Sequence, residues 1–500
     1  MFQGTGSGVG KSVIAAGFCR LYARQGWLVA PFKAQNMSLN SGVTQSGEEM
    51  GRAQILQAQA AFTEPEVRMN PVLLKPQGDR HSQVIVQGRV WNTLETLDYY
   101  ERKDYLWSVV QKSLASLCRD FDLVVIEGAG SPAEINLRDQ DIVNMRVARE
   151  LRCPVVIIGD IEKGGVFASL YGTWALLLEE ERTLVAGFLI NKFRGNERLL
   201  DPGIREIERL TGVPVLGVLP YENLTLDDED AYAGRPERAT SETASKDLVI
   251  GVVRFPHLSN FTDFQPLEAE PDVALCYLHS PDKLAGCDLV ILPGSKATVN
   301  DLEWLKAKGF PAVLNRHLAE GGVLLGICGG FQMLGRFLHD PWGLESTESF
   351  REGLGFLEMK TVFQRDKILR RVEGFSPYLP GARVTGYEIH QGRTILGEGY
   401  APFLELDRVM GNPSMEKDGV MINRSLFGTY LHGLFDSASF RRAFLNMLRI
   451  RKNLLPLPAS APSRTDETNQ ELDRLADLLA ERLDLTLLEE RMGIHSCGKG

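Results

Sequence analysis

The chain opens almost at once on Gly4-Thr5-Gly6-Ser7-Gly8-Val9-Gly10-Lys11-Ser12, and few runs restrict a fold so tightly. A glycine-rich loop ending in Gly-Lys-Ser, followed by Val13, Ile14, Ala16 and Phe18 at helical spacing, reads as a phosphate cradle between a strand and a helix. The loop N–H groups wrap the phosphates, Lys11 bridges the distal ones and the Ser12 hydroxyl holds Mg²⁺. A flexible glycine linker needs neither the Lys-Ser step nor the amphipathic helix after it. Gly4, Thr5, Gly8, Val9, Gly10, Lys11 and Ser12 are therefore expected to bind ATP. Five residues separate Gly4 from Gly10, where the usual motif has four. Only Met1, Phe2 and Gln3 precede the loop, so the strand that feeds it is expected to be cut short or unusually brief.

Apolar strands then alternate with helical patterns, which argues for a doubly wound parallel sheet. The run Trp27 to Phe32 ends in Lys33, and Asn36 and Asn40 follow among amides and hydroxyls. Polar groups at the carboxyl end of such a strand suit recognition of carboxylates and amides, so Lys33, Asn36 and Asn40 are candidate acceptor-binding residues. The strand Leu123-Val124-Val125-Ile126 ends in Glu127, placed to face the loop and join Mg²⁺ directly or through water. Asp139 and Asp141 fit helix starts at least as well as ligands. Pro154 to Gly159 ends in Asp160 and runs on to Lys163, both at the same sheet edge and suited to metal, phosphate or acceptor carboxylate. Leu184 to Ile190 ends in Asn191, and Val213 to Pro220 closes the sheet.

Between Thr225 and Asp247 the composition shifts to acids, Ser, Thr and Gly, which reads as a solvated connection. Beyond it lies Gly326-Ile327-Cys328-Gly329-Gly330-Phe331-Gln332, after the apolar run Val323 to Leu325 and before Met333, Leu334, Phe337 and Leu338. A cysteine on a sharp strand-to-helix corner is exposed to helix N–H groups that favour its thiolate, the nucleophile-elbow design. A buried inert cysteine would look the same in isolation. The segment Gly428-Thr429-Tyr430-Leu431-His432-Gly433-Leu434-Phe435 offers a paired base, with His390 as a rival.

These two segments resemble the class I glutamine amidotransferases. The resemblance implies a flavodoxin-like domain that hydrolyses glutamine through a thioester at Cys328, with His432 as base and then acid. It places Gln332 near bound glutamine and draws oxyanion donors from Gly329 and the loop at Gly294, each donor typically worth about 10²–10³ in rate. Many members carry a glutamate two residues after the histidine; here that position is Leu434, with Asp436 beyond it. The third member of the triad is thus absent or supplied from elsewhere. The long phosphate loop resembles the dethiobiotin synthetase-like branch, in which an acid near Glu49 can join the Mg²⁺ shell. The stretch from Phe32 to Ala60, that from Glu127 to Leu137 and the run Asn260-Phe261-Thr262-Asp263-Phe264 resemble the cobyric acid synthase family, which also implies that Asn191 reads the adenine edge.

The reading is two α/β domains: 1–224 for ATP-dependent amide synthesis, 225–247 as connection, 248–450 for glutamine hydrolysis, and 451–500 as a helical tail that packs. Resemblance to the family implies ATP, glutamine and a corrinoid a,c-diamide as small-molecule substrates, Mg²⁺ as cofactor, and amidation of the b, d, e and g side chains. Two rivals are the a,c-diamide synthase reaction and a P-loop regulatory ATPase with a glutaminase-like binding domain. A net charge of -10 argues against a nucleic-acid partner. No apolar run is long enough to span a bilayer, the seven cysteines form neither a disulfide framework nor a metal set, and His495 with Cys497 are too few for a metal. A cytoplasmic enzyme is expected.

Overall fold

The structure, a computed structural model, describes residues 1–76, 81–95, 102–222, 224, 226, 246–346, 348–458 and 462–493. Most of the expected connection 225–247, and His495 and Cys497, lie outside the described residues. The chain divides into two compact units, Met1–Ser38 with Met50–Gly234 and Thr468–Gly500, and Leu39–Glu49 with Arg235–Glu467. Neither is continuous in sequence.

In the first unit the strands Val29–Phe32, Leu123–Ile126, Phe2–Gly4, Val155–Asp160, Val185–Phe193 and Val215–Pro220 lie side by side in that order, all parallel. Val155–Asp160 is buried at every position, the pattern of a parallel strand covered on both faces. Phe2–Gly4 is as brief as the sequence expects, yet it sits mid-sheet. It pairs in register with Val156 to Ile158 on one side, and on the other its Phe2 carbonyl accepts from Gly128 N–H at 2.8 Å. Here the order of strands reverses, so the loop after Gly4 emerges at the switch point where open α/β sheets bind ligands. Four further strands, Gln35–Met37, Val72–Pro76, His81–Val86 and Arg89–Glu95, make a separate small sheet.

The helix Lys11–Arg24 buries Ile14, Ala15, Phe18, Cys19 and Tyr22 against the parallel strands. Its Gly17 is a place of close approach. A Cβ there would stand 2.5 Å from Leu479 Cδ1, because the helix Arg464–Arg482 lies across it. Leu472, Leu475, Ala476 and Leu479 enter the same core as Phe18 and Tyr22.

In the second unit the parallel order is Val273–Leu278, Leu248–Val253, Leu289–Leu292, Val323–Ile327 and Leu426–Thr429, with Val420–Ile422 antiparallel at the edge. Numbered by first appearance those five strands run 2-1-3-4-5, the flavodoxin-like order. A second sheet is dominated by the long antiparallel pair Leu357–Phe375 and Arg383–Leu396. The short strand Ser41–Val43 belongs to this unit, and its Val43 packs in a small cluster with Leu369, Tyr387 and Ile389.

Candidate functional site

Strand Val323–Ile327 ends at Cys328, and the helix Gly329–Leu334 begins directly after it. To turn that corner Cys328 adopts φ 50° and ψ -108°, a left-handed backbone that L-residues seldom accept. The turn survives because it is over-determined. Cys328 N–H donates to Thr429 O at 2.8 Å, Gln332 N–H donates to Cys328 O at 3.0 Å, and Gly330 N–H donates to Pro293 O at 3.0 Å. A Cβ on Gly330 would fall 2.0 Å from Leu292 O, so only glycine lets the helix come this close.

His432 lies buried beside this corner. Its Nδ1 is 2.7 Å from Asp263 Oδ2, and Asp263 Oδ1 accepts from Gly433 N–H at 3.0 Å. Burial alone would disfavour the imidazolium, but the charge of Asp263 and then Cys328, each also hydrogen-bonded to the ring, raise the His432 pKa to about 10. The third group that the sequence leaves open is thus present as Asp263, from the turn Phe261–Phe264 rather than from the stretch after the histidine. Sequence reading sees Asp263 only as one acid in a family run, because nothing local joins it to a histidine 169 residues on. Gly294 packs against the same ring, where a Cβ would lie 2.9 Å from His432 Cε1. Gln332 donates from Nε2 to Tyr430 Oη at 3.3 Å and accepts from Thr298 Oγ1 at 3.4 Å. A Cβ on Gly329 would meet Ser295 N at 2.9 Å, so the expected oxyanion loop and the elbow are neighbours. His390 turns elsewhere: its Nδ1 bonds Gly392 O at 2.7 Å, its Nε2 faces Glu388, and its ring stacks on Tyr430 with centroids 3.8 Å apart.

In the first unit the phosphate loop is pinned at several points. Lys11 Nζ donates to Gly6 O at 2.8 Å and to Gly130 O at 3.1 Å, so its ammonium arches over the loop. Gly10, at φ 99°, precedes the helix, and Asn191 Nδ2 fills the space where its Cβ would be while donating to Val9 O at 2.9 Å. Lys192, which the sequence reading passed over, donates to Gly8 O at 2.6 Å and to Asp160 Oδ2 at 3.0 Å. Asp160 is therefore tied to the loop, whereas Lys163 is exposed.

Glu127 collects Ser12 Oγ at 2.7 Å, Lys33 Nζ at 2.8 Å and Gln57 Nε2 at 2.7 Å. Burial pushes its pKa upward, but Lys33 and the hydrogen bonds from Lys33, Ser12 and Gln57 outweigh that and hold the carboxyl below its usual range. Asn36 donates to Gln54 Oε1 at 2.9 Å. Asn40 and Glu49 belong to the second unit: Asn40 Oδ1 accepts from Phe261 N–H at 3.2 Å, and Glu49 pairs with Lys367 and accepts from Ser41 Oγ at 2.8 Å. A cavity of about 420 Å³ lies within the first unit, lined among others by Ser7, Gln35, Lys103, Ser131, Arg138 and Asn144.

Residues 1–230 match the family described as the CobQ/CobB/MinD/ParA nucleotide binding domain, and residues 249–440 match the CobB/CobQ-like glutamine amidotransferase domain. A cobyric acid synthase from Photorhabdus laumondii is 48% identical over 512 aligned residues, covering 100% of this chain and 98% of that protein. A cobyric acid synthase from Salmonella typhimurium is 47% identical, with 99% and 98% covered. Among solved structures, PurLQS from Thermotoga maritima aligns with 40% of this chain and 99% of its own at 20% identity and a TM-score of 0.32. Identity of nearly one half, sustained from end to end of both proteins, places the chain in the cobyric acid synthase family of glutamine-hydrolysing, ATP-dependent amidotransferases.

Proposed function

We propose that the chain amidates the b, d, e and g carboxylates of adenosylcobyrinic acid a,c-diamide, giving adenosylcobyric acid at the expense of ATP and glutamine. The observation that carries this is the pairing, on one chain of that family, of the Ser12–Glu127–Lys33 group beside a phosphate loop with the Cys328–His432–Asp263 group at an elbow.

A carboxylate does not react usefully with ammonia, since its leaving group would be oxide. Transfer of the γ-phosphoryl group of ATP to the carboxylate oxygen gives an acyl phosphate. Ammonia then attacks the carbonyl carbon, phosphate leaves with the C–O electron pair, and the nitrogen loses a proton. The N–H groups at the start of the helix Lys11–Arg24 and the Lys11 ammonium are aimed to stabilise charge on the phosphates. Ser12 and Glu127 are oxygen donors held together, with the carboxyl kept ionised, which suits Mg²⁺. Bound there, Mg²⁺ would offset the negative charge of the phosphate oxygens. Glu49 is paired with Lys367 within the second unit. The cavity beside Ser7 and Gly130 is at the small end of ligand sites, which run to about 1,000 Å³, so it suits one carboxylate arm of the acceptor rather than the macrocycle.

In the second unit His432, protonated in the folded chain, already holds the proton of the catalytic pair, and the Cys328 sulfur attacks the glutamine side-chain carbonyl. The proton goes to the departing ammonia, and water, deprotonated by His432, cleaves the thioester. Asp263 holds the imidazole with Nδ1–H toward itself and Nε2 toward sulfur. The test is the Cys328→Ala variant with the a,c-diamide corrinoid, ATP and Mg²⁺. Heavy nitrogen from glutamine amide should no longer enter the product by mass spectrometry, while ammonia should still be incorporated at four positions. Loss of both would refute the division of labour, and no incorporation by the unaltered protein would refute the acceptor.

A further inference from the structure

Asn40 lies in the stretch of sequence that follows the second strand of the nucleotide-binding half, where its neighbours Lys33 and Asn36 sit. Its side chain nevertheless works in the other unit. Asn40 Oδ1 accepts from the N–H of Phe261, a residue 221 positions later. That N–H opens the short turn Phe261–Phe264, which has no cap from its own preceding residue: Asn260 makes no side-chain cap hydrogen bond. Asn260 is also left-handed, at φ 53°, and is held there by its own contacts. Its Oδ1 accepts from Ser41 N–H at 3.4 Å, and its Nδ2 donates to Tyr387 Oη at 3.4 Å.

The turn so secured carries Asp263, whose two oxygens hold His432 Nδ1 and Gly433 N–H. Tyr387 stacks on the His432 ring with centroids 5.5 Å apart, and the neighbouring Ile389 carbonyl accepts from Cys328 Sγ at 3.5 Å. Asn40 leads into a hairpin whose two strands are Ser41–Val43 and Glu49–Gly51, and Val43 of its first arm packs on both Tyr387 and Ile389. The ion pair of Glu49 with Lys367, both almost fully buried, anchors the far arm of that hairpin. Three of these contacts lead to the catalytic groups: Phe261 opens the turn that carries Asp263, Tyr387 stacks on the His432 ring, and the Ile389 carbonyl meets Cys328 Sγ.

We propose that Asn40 is a positioning residue for glutamine hydrolysis: it caps the turn that aims Asp263 at His432, although its sequence neighbours serve the synthetase. This rests on the reading of Cys328 and His432 as the glutaminase pair. Capping requires only an oxygen acceptor at this place, whereas recognition of an acceptor carboxylate requires the amide N–H₂.

The full-length chain carrying Asn40→Leu, and separately Asn40→Asp, is compared with the unaltered protein in two reactions. One is glutamate release from glutamine during amidation; the other is amidation driven by ammonium chloride. Asn40→Leu should lower kcat for glutamate release about 10- to 100-fold and move the pH profile of that step, while ammonia-driven turnover and its corrinoid KM stay within about twofold. Asn40→Asp, which keeps the oxygen and loses the N–H₂, should restore glutamate release to within about twofold. If Asn40→Leu fails to fold, Asn40→Asp still decides. A loss of glutamate release in Asn40→Asp overturns the capping role. So does a raised corrinoid KM in the ammonia reaction with unchanged glutamate release. Absence of glutamate release by the unaltered protein, which keeps Asn40, would instead count against the Cys328–His432 reading itself.

Discussion

Asp263 decides the protonation of the histidine it faces. With a folded pKa of about 10 against an ordinary 6.5, the His432 imidazole of the folded chain keeps a proton that the unfolded chain releases between those values. Its contribution to stability is therefore complete below about pH 6.5 and is lost as pH rises through about 10. Asp263→Asn should bring the His432 titration down toward its ordinary value, observable by carbon-labelled histidine NMR. It should also slow glutamine hydrolysis by roughly 10²–10⁴, the scale set when a triad loses its orienting carboxylate. The stability advantage of the unaltered chain over this variant should shrink with rising pH across that interval; a constant difference in chemical-denaturation midpoints would contradict the assignment. The Cys328 elbow, the His432 segment and the phosphate loop were legible because each is a local string of residue types that only one kind of backbone can use. Asp263, Lys192 and Asn40 were not, since each acts on a partner far away in sequence, and an acid or amide in a polar run carries no mark of what it will meet in space.

At the scale of elements, the parallel sheet of the first unit was legible in apolar runs alternating with helical patterns, whereas the flavodoxin-like order of the second came from the resemblance. What was not legible is that the first strand is paired on both edges in the middle of its sheet. Periodicity also gave the amphipathic helix Arg464–Arg482, but not where its apolar face goes. The answer lies in Gly17, whose missing side chain makes room for Leu475 and Leu479 over the helix that carries Lys11 and Ser12. Leu479 is fully buried there, so Leu479→Ala should cost about 2–5 kcal/mol in unfolding free energy. Leu455, which is 82% exposed, serves as the comparison, and Leu455→Ala should change little. Equal losses for the two, read from urea denaturation of the full chain, would mean that the helix contributes nothing to this core.

For the whole molecule, sequence order and spatial grouping part company. A break placed in 225–247 yields an N-terminal product holding Leu39–Glu49 without the side chains it packs on, and a C-terminal product holding Leu472, Leu475 and Leu479 without the core they enter. The two products made separately should be poorly soluble and should lack glutamine hydrolysis; made together in one cell they should recover it. Full glutaminase activity from the C-terminal product alone would show that the hairpin is dispensable.

The exchanged hairpin also bears on ancestry. Once each half had lent the other a segment, neither product of a cut at the obvious seam could work without the other, and neither half could be replaced by an unrelated counterpart in a single recombination. Substitutions at Asn40 and Asn260 should then be inherited as a pair, although they sit in what look like different domains.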